Sequence, residues 1–273
     1  MKSSFIFALF CATAVFAEQL HPNSVVIPLR SASQLVIPVA GSTPGANGTF
    51  FRSDITLMNL ANHDETVNLE WLPQAGGSGT TTTITIPKQS GIRSSDFVVE
   101  YLHQTGLGAI MITGITSEGI DVDAALYVIS RIWSPQPGTS GTTSQSLPAV
   151  TTSAFFPGAT ATLFSVGGGV ENPGNYRVNV GIVNADPINT HTFDIAAPSN
   201  KRPFGAKHYT VTLPPRSTAQ VPLGGDLFPN AAVVVHNMTA ATSRFTAWIA
   251  YASTVDNITG DAWSELAVPV DLP

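Results

Sequence analysis

A short sequence pattern occurs twice in this chain. Residues 52–59 read Arg-Ser-Asp-Ile-Thr-Leu-Met-Asn, and residues 177–184 read Arg-Val-Asn-Val-Gly-Ile-Val-Asn. In both copies an Arg stands first, apolar residues alternate with other residues, and an Asn stands last. Alternation with a period of two is typical of a β-strand with one buried face. The repetition therefore predicts the same strand in two structural units.

Two further segments match between the halves in the same order. Ile84-Thr85-Ile86-Pro87 corresponds to Val211-Thr212-Leu213-Pro214, and 109–112 corresponds to 232–235. The two prolines stand where a strand should end, because proline has no amide hydrogen to donate to a neighbouring strand. We expect a duplicated scaffold of strands whose loops differ in length.

The strand pattern continues through the chain, and helical spacing is almost absent. We expect eleven strands, at 35–39, 51–59, 66–72, 80–86, 109–115, 124–132, 176–184, 190–195, 209–213, 231–236 and 245–251. Short strands between Gly, Pro and Asn turns are typical of immunoglobulin-like (Ig-like) sandwiches. The sequence thus predicts an all-β protein of two tandem Ig-like β-sandwich domains that arose by internal duplication. The alternative is one larger barrel, or a double sandwich with its halves face to face.

A length of 273 residues suits two domains of ordinary size. The expected divisions are a signal peptide at 1–17, an N-terminal extension at 18–33, a first sandwich at 34–149 and a second at 150–273. Residues 134–146 are rich in Pro, Gly and hydroxyl side chains, which favours an exposed loop or linker near the boundary.

The first 17 residues have the organisation of a secretory signal. Lys2 precedes an apolar run from Phe5 to Phe16, which is too short to span a bilayer and stops before Glu18. We therefore expect secretion and no transmembrane anchor after removal of the signal. Cys11, the only cysteine, lies in this segment, so the mature chain should have no disulfide. That favours a bacterial protein that is secreted, periplasmic or on the cell surface.

The charge distribution argues against a nucleic-acid-binding protein. Lys and Arg number 12 against 18 Asp and Glu, which gives a net charge of -6, and no basic cluster exceeds Lys201-Arg202. The glycine run at 167–169 precedes no helical pattern, so it does not predict a phosphate-binding loop. No cofactor is expected.

Several segments carry a resemblance to a known module. They are Ile-Pro-Val-Ala-Gly at 37–41, Gly-Thr-Phe-Phe-Arg-Ser-Asp at 48–54, Ser-Arg-Ile-Trp at 130–133, Gly-Thr-Thr-Ser-Gln at 141–145, Tyr-Ala-Ser at 251–253 and Val-Asp-Asn-Ile-Thr-Gly-Asp at 255–261. These segments resemble a module of secreted proteins from environmental bacteria, and the resemblance covers most of the mature chain. It implies extracellular tandem β-sandwich repeats and implies no functional site.

The repeated strand places Arg52 on the same face as Asp54, and Arg177 on the same face as Asn179. One interpretation is a pair of matched ligand contacts. We favour cross-strand ion pairs or hydrogen bonds that hold the register of each sheet.

The ends of the repeated strands carry Asn59 and Asn184, and both are expected to form Asx turns. The segment 63–65, His-Asp-Glu, follows the first of them and is expected to be a solvated hairpin turn.

Three carboxylates stand close together at Glu118, Asp121 and Asp123. Oxygen ligands at this spacing make them candidates for a Ca²⁺ site. Such a site usually needs six to eight oxygens, and residues 240–245, the matching part of the second half, contain no carboxylate. We therefore favour a turn without metal.

The four tryptophans divide into two pairs. Trp71 and Trp248 follow the inward pattern and are expected in the core. Trp133 and Trp263 stand beside loops, which makes them candidate platforms for stacking against sugars.

The sequence gives little support for a catalytic site, although paired carboxylates for glycoside cleavage could meet across the sheets. It lacks a Gly-x-Ser-x-Gly elbow and a His-Glu-x-x-His pair, so an enzyme is the less favoured interpretation. The leading hypothesis is a secreted, non-catalytic binding, adhesion or structural module whose partner is an unknown surface glycan or protein. An extracellular polysaccharide-acting hydrolase or a carbohydrate-binding protein is the alternative.

Overall fold

Antiparallel strands form nearly all of the regular structure in the computed structural model, which confirms the all-β prediction. The structure describes residues 32–45, 48–77, 79–136, 138–151, 160–166, 176–199, 205–224, 227, 231–239 and 248–269. The expected signal peptide, nearly all of the expected extension, the glycine run at 167–169 and Lys201-Arg202 lie outside these residues. Within the described ranges, no helix is both long and apolar enough to cross a membrane.

Ten strands and one short helix are described in the first half. They are β1 (Gln34–Pro44), β2 (Phe50–Asn59), β3 (Glu65–Pro73), β4 (Thr81–Ile86), β5 (Ser90–Ser94), α1 (Phe97–Leu102), β6 (Gly106–Thr116), β7 (Gly119–Ile120), β8 (Leu126–Pro135), β9 (Thr142–Ser146) and β10 (Val150–Thr151). One row of paired strands runs β4-β3-β6-β1-β10, with β7 on the end of β6, and a second row runs β5-β2-β8-β9. A short β1–β2 pairing joins the rows at one corner.

Nine strands of the second half are described. They are β11 (Thr160–Val166), β12 (Tyr176–Asn184), β13 (His191–Pro198), β14 (Ala206–Leu213), β15 (Ser217–Leu223), β16 (Ala231–Asn237), β17 (Trp248–Asp256), β18 (Ala262–Leu266) and β19 (Val268–Pro269). They form two sheets, in the orders β14-β13-β16-β11-β19 and β15-β12-β17-β18.

The strand orders of the two halves agree position by position. Strands β1 to β6 occupy the places of β11 to β16, and β8, β9 and β10 occupy those of β17, β18 and β19. The turns after β4 and β14 also agree, because Gln89 and Arg216 each adopt a left-handed φ of 52°. Strand β10 begins at the expected boundary and pairs with β1; the division into domains at 149 and 150 stays a prediction.

Burial along each strand depends on how many faces of its sheet are covered. In β13, buried and half-buried residues alternate, which is the pattern of a sheet with one face in the core. In β1, eight consecutive residues from Leu35 to Ser42 are buried. Both faces of β1 are therefore covered, one by the first core and the other by the second half of the chain.

Two large apolar cores account for this burial. The first core includes Ile37, Leu57, Leu69 and Ile112, with α1 packed against it. The second core includes Phe193 and Trp248 of the second half, and also four first-half side chains on the opposite face of their sheet: Val36, Leu72, Ala109 and Met111. Residues Ser31–Pro273 accordingly form one compact unit.

Part of the stretch expected as a loop or linker is a strand. Within 134–146, Thr142–Ser146 form β9, which pairs with β8 and also contacts β18 of the second half. Its Ser and Thr side chains carry little apolar signal, so the strand pattern was not visible in the sequence. The segment therefore joins the two halves through hydrogen bonds rather than acting as a free linker.

Candidate functional site

A cavity lies where the two halves meet. It has a volume of about 210 Å³. We call it the cleft, and its lining residues are Gly41, Thr43, Pro44, Gly45, Phe51, Leu107, Ile132, Gln145, Arg177, Asn179, Gln220, Ser253 and Val255. Strands β1, β2, β6, β8 and β9 of the first half and β12, β15 and β17 of the second half supply them. Neither half contains the site alone.

An apolar cluster lies beside the cleft and draws on both halves. Ile132 and Tyr251 belong to its buried part, and Phe51 and Leu107 pack against it. The Tyr251 side chain is 1% exposed, and its hydroxyl accepts a hydrogen bond from Gln220 Nε2 at 2.9 Å. Burial raises the pKa of Tyr251, so this hydroxyl stays neutral. The cluster supplies the apolar side of the site.

The position of the Tyr251 ring depends on a glycine. A Cβ atom added at Gly181 would overlap the ring of Tyr251, and Gly181 pairs with Tyr251 across β12 and β17. Glycine is thus required here by the close approach of the ring.

Polar groups line the other side of the cleft. Gln145 and Ser253 are bonded to each other across the two halves, with Gln145 Nε2 2.9 Å from Ser253 Oγ. Arg177 donates from Nη1 to Asn257 Oδ1 at 2.8 Å, and among the described residues its other N–H groups have no further hydrogen-bond partner. Within the described part of the chain, the side-chain amide of Asn179 has no hydrogen-bond partner. Amide, hydroxyl and guanidinium donors therefore converge on one small space.

A second cavity of about 80 Å³ adjoins the cleft and shares Phe51, Ile132, Gln145, Arg177 and Val255 with it. Its outer rim is closed by hydrogen bonds between the halves. Gln136 Nε2 donates to the carbonyl of Thr259 at 3.1 Å, and the Thr143 hydroxyl donates to the carbonyl of Gly260.

The cleft offers hydrogen-bond donors on one side and an apolar wall on the other. Among the described residues that line the two cavities, none is Asp, Glu, His or Cys. A glycoside hydrolase generally needs two carboxylates across its cleft. Hydrogen-bond donors opposite an apolar wall instead suit a small polar molecule with one apolar face.

The repeated strand makes cross-strand ion pairs at Asp54. Arg52 and Arg177 instead bond to Asp96 and Asn257, which lie outside the strands. Asp54, which is 6% exposed, accepts hydrogen bonds from Arg93 on β5 and Arg131 on β8 at 2.9–3.1 Å. Arg93 is the first cause of the lowered pKa of Asp54, and it outweighs the opposing effect of burial. Arg52 pairs with Asp96 at 3.4 Å, so Arg52 and Asp54 have separate partners.

The tryptophans occupy the two kinds of environment that the sequence predicts, although no ligand role is shown. Trp71 and Trp248 are buried, at 2% and 0% exposure. Trp133 is half-buried, donates from Nε1 to the Ser95 carbonyl at 2.8 Å, and lies under the guanidinium of Arg52. Trp263 is 36% exposed and makes an edge contact with Tyr176. The sugar-platform interpretation stays a prediction for both.

The structure separates the three carboxylates proposed for a metal. Glu118 and Asp123 are exposed. Asp121 lies beside His63 and Glu65 instead, and the three side chains can each offer one ligand atom within 4.8 Å of the others. Among the described residues, this is the one such group of His, Cys, Asp or Glu.

Glu65 was not expected to be buried, because 63–65 reads as a solvated turn. Its side chain is fully buried, whereas that of His63 is 42% exposed. Burial raises the pKa of Glu65, and the charge of Asp121 raises it further, against the opposing effect of His63. A signal was present in the sequence: the alternation of Val67, Leu69 and Trp71 places Glu65 on the inward face.

Comparisons with known proteins identify no family for this chain. No protein family matches the chain, and no curated protein matches it. A search of solved structures finds the crystal structure of vicilin from Corylus avellana (hazelnut), with 9% sequence identity, coverage of 86% of this chain and 74% of that chain, and a TM-score of 0.23. A likeness at that TM-score carries no argument about fold or function.

Proposed function

We propose that this protein is a secreted, non-catalytic binding module of a bacterial cell surface or its surroundings, and that its ligand occupies the cleft. The observation that carries the proposal is the unpartnered amide of Asn179 beside Arg177 in a cavity with an apolar wall. A preformed cavity with an apolar wall and a few convergent polar groups is the usual form of a small-molecule site.

The ligand class follows from the lining. The cleft presents neutral amides and hydroxyls, one guanidinium and the aromatic ring of Phe51. A single sugar unit at the end of a surface glycan fits this combination, because it has hydroxyls for the polar wall and C–H groups for the ring. A volume of about 210 Å³ is small beside the usual range for drug-sized ligands, so one unit rather than a long chain should enter.

Internal duplication is part of the proposal. The matching strand orders, the matching left-handed residues at 89 and 216, and the matched prolines at 87 and 214 all support descent from one nine-strand unit. The cleft residues do not follow this pattern, since Arg177 and Asn179 line it while their counterparts Arg52 and Asp54 do not. Secretion through residues 1–17 remains part of the same proposal and rests on their sequence.

The test is a glycan-binding measurement on the mature chain. Retention on a panel of bacterial and plant glycans would identify a ligand, and titration calorimetry with the retained sugar would measure its affinity. Asn179→Ala should weaken binding about tenfold, in line with the loss of one or two hydrogen bonds. Asn62→Ala, at an exposed site outside the cleft, is the matched control and should leave affinity unchanged. Equal affinity in both variants, or no retention of any glycan, would contradict the proposal.

A further inference from the structure

The cluster of His63, Glu65 and Asp121 contains a buried polar atom that the protein leaves without a partner. Glu65 Oε2 lies 3.2 Å from His63 Nε2, but Glu65 Oε1 is buried and accepts no hydrogen bond within the described structure. An orphaned carboxylate oxygen in the interior is costly, since burial without a partner forfeits its hydration. A cation held by both carboxylate oxygens of Glu65 would remove this cost.

At the corresponding position of the second half, the start of β13, every side chain of a similar polar cluster has a hydrogen-bond partner. His191 begins β13 as Glu65 begins β3, and its two ring nitrogens bond to Asp186 and Asn237, each at 2.9 Å. Asp186 also accepts hydrogen bonds from the amides of Ile188 and Asn189. Every polar group of that network therefore has a partner from the protein.

The first half lacks the residue that corresponds to Asn237. The position of Asn237 on β16 is taken by Gly114 on β6, and a Cβ there would lie 2.7 Å from Glu65 Oε1. Gly114 thus lies against the orphaned oxygen and, unlike Asn237, offers it no side-chain donor. The carbonyl of the same glycine accepts the amide of Asp121 at 2.9 Å, which brings the third carboxylate to this side of Glu65.

Two of the three distances between ligand atoms suit a transition-metal ion, and all three are within 4.8 Å. His63 Nε2 lies 3.2 Å from Glu65 Oε2 and 3.6 Å from Asp121 Oδ2. Metal–ligand bonds of about 2.0–2.2 Å place neighbouring ligands roughly 3.0–3.6 Å apart in octahedral or tetrahedral geometry. One imidazole and two carboxylates form a mixed N/O donor set, which suits Zn²⁺ or Mn²⁺. Ca²⁺ would require six to eight oxygens.

We infer that His63, Glu65 and Asp121 bind one divalent transition-metal ion of the Zn²⁺ class, with water in the remaining coordination positions. The partly exposed His63 ring gives the ion a route from solvent. The bound ion connects the β2–β3 turn to the segment after β7, so it stabilises that end of the first half. The site shares no residue with the cleft and is independent of the proposed function.

The test is calorimetric titration of ZnCl₂ into mature protein stripped with EDTA. We expect one Zn²⁺ per chain and a rise in melting temperature that EDTA reverses. His63→Ala should weaken Zn²⁺ binding at least tenfold, because loss even of a residue that only supports a ligand typically costs about 10- to 100-fold. Glu65→Gln keeps the shape of the buried side chain, and it should weaken binding similarly in protein that circular dichroism shows to be folded.

His208→Ala is the matched control. His208 Nδ1 lies 2.9 Å from Asp194 Oδ2 on the surface of the second half, which makes a histidine–carboxylate pair without a second carboxylate. This variant should bind Zn²⁺ like the unmodified chain, as should Asp123→Asn. Absence of Zn²⁺ binding at about 100 μM, unchanged binding by the His63→Ala chain, or tighter binding of Ca²⁺ than of Zn²⁺ would each overturn the inference.

Discussion

Asn59 and Asn184 make the same hydrogen bonds in the two halves of the molecule. The Nδ2 group of Asn59 donates to the carbonyls of His63, Ile86 and Pro87, and that of Asn184 donates to the carbonyls of Asn189, Leu213 and Pro214. Each Oδ1 accepts the amide two residues ahead, which makes both Asx turns. Both side chains are fully buried and tie the end of one strand to the turn after another.

The asparagine contacts predict equal losses of stability in the two halves. Asn59→Ala or Asn184→Ala removes one donor group from three carbonyls, one in a buried hydrogen bond and two in part-buried ones. We expect each variant to lower the free energy of unfolding by about 2–3 kcal/mol. Urea denaturation of the mature chain measures this, with Asn62→Ala as an exposed control that should change it by less than about 0.5 kcal/mol. If only one of the two variants lost stability, the two turns would not be energetically equivalent.

The close contact between Gly181 and the Tyr251 ring predicts that adding one methyl group at position 181 strongly destabilises the fold. Gly181→Ala places a Cβ inside the space of the buried Tyr251 ring, and neither backbone strand can move away without breaking its pairing. Overpacking of this kind typically costs about 1–3 kcal/mol. Gly141→Ala, on an exposed turn with only ordinary contacts, should be nearly neutral in the same thermal or urea denaturation. Comparable stability of the two variants would refute the close-packing argument.

Asp186 predicts a loss of stability in acid. Burial acts to raise the pKa of Asp186, but hydrogen bonds led by that from His191 overcome it and lower the pKa to about 2 from 3.8. A carboxyl group with a depressed pKa stabilises the fold above pH 3.8 and loses that contribution as pH falls towards 2. The difference in unfolding free energy between the unmodified chain and Asp186→Asn should therefore shrink by about 2 kcal/mol between pH 5 and 2. A pH-independent difference would contradict the assignment.

The raised pKa of Glu265 predicts that stability falls as pH rises through neutrality, the opposite of the effect of Asp186. Burial raises the pKa of Glu265 to about 7 from 4.5, and its Oε1 has no partner in the described structure. A carboxyl group with a raised pKa favours the fold below pH 4.5 and loses that contribution as pH rises through 7. Glu265→Gln should stabilise the protein at pH 8 by about 1 kcal/mol, allowing for solvent screening, and have little effect at pH 4. Denaturation at both values tests this, and equal effects would argue against a raised pKa.

The sequence by itself determined the strands and their faces. Alternating apolar residues predicted nearly all of the long strands, and β12 agrees residue for residue with its expected bounds. The roles of Asn59 and Asn184 were also readable, because an Asx turn depends only on residues close in the chain. Short polar strands such as β9 were not predicted, because their Ser and Thr side chains show no alternation of apolar and polar residues.

Only the tertiary structure decided which faces meet. Period-two alternation shows that a side chain points inward or outward, but it contains no information about the strand opposite. The cleft joins Gln145, Arg177 and Ser253 from strands far apart in sequence, so no local pattern could reveal it. Glu65 shows the same limit: its inward position follows from alternation, but its missing partner and its proximity to Asp121 depend on how β3, β6 and the segment after β7 pack together.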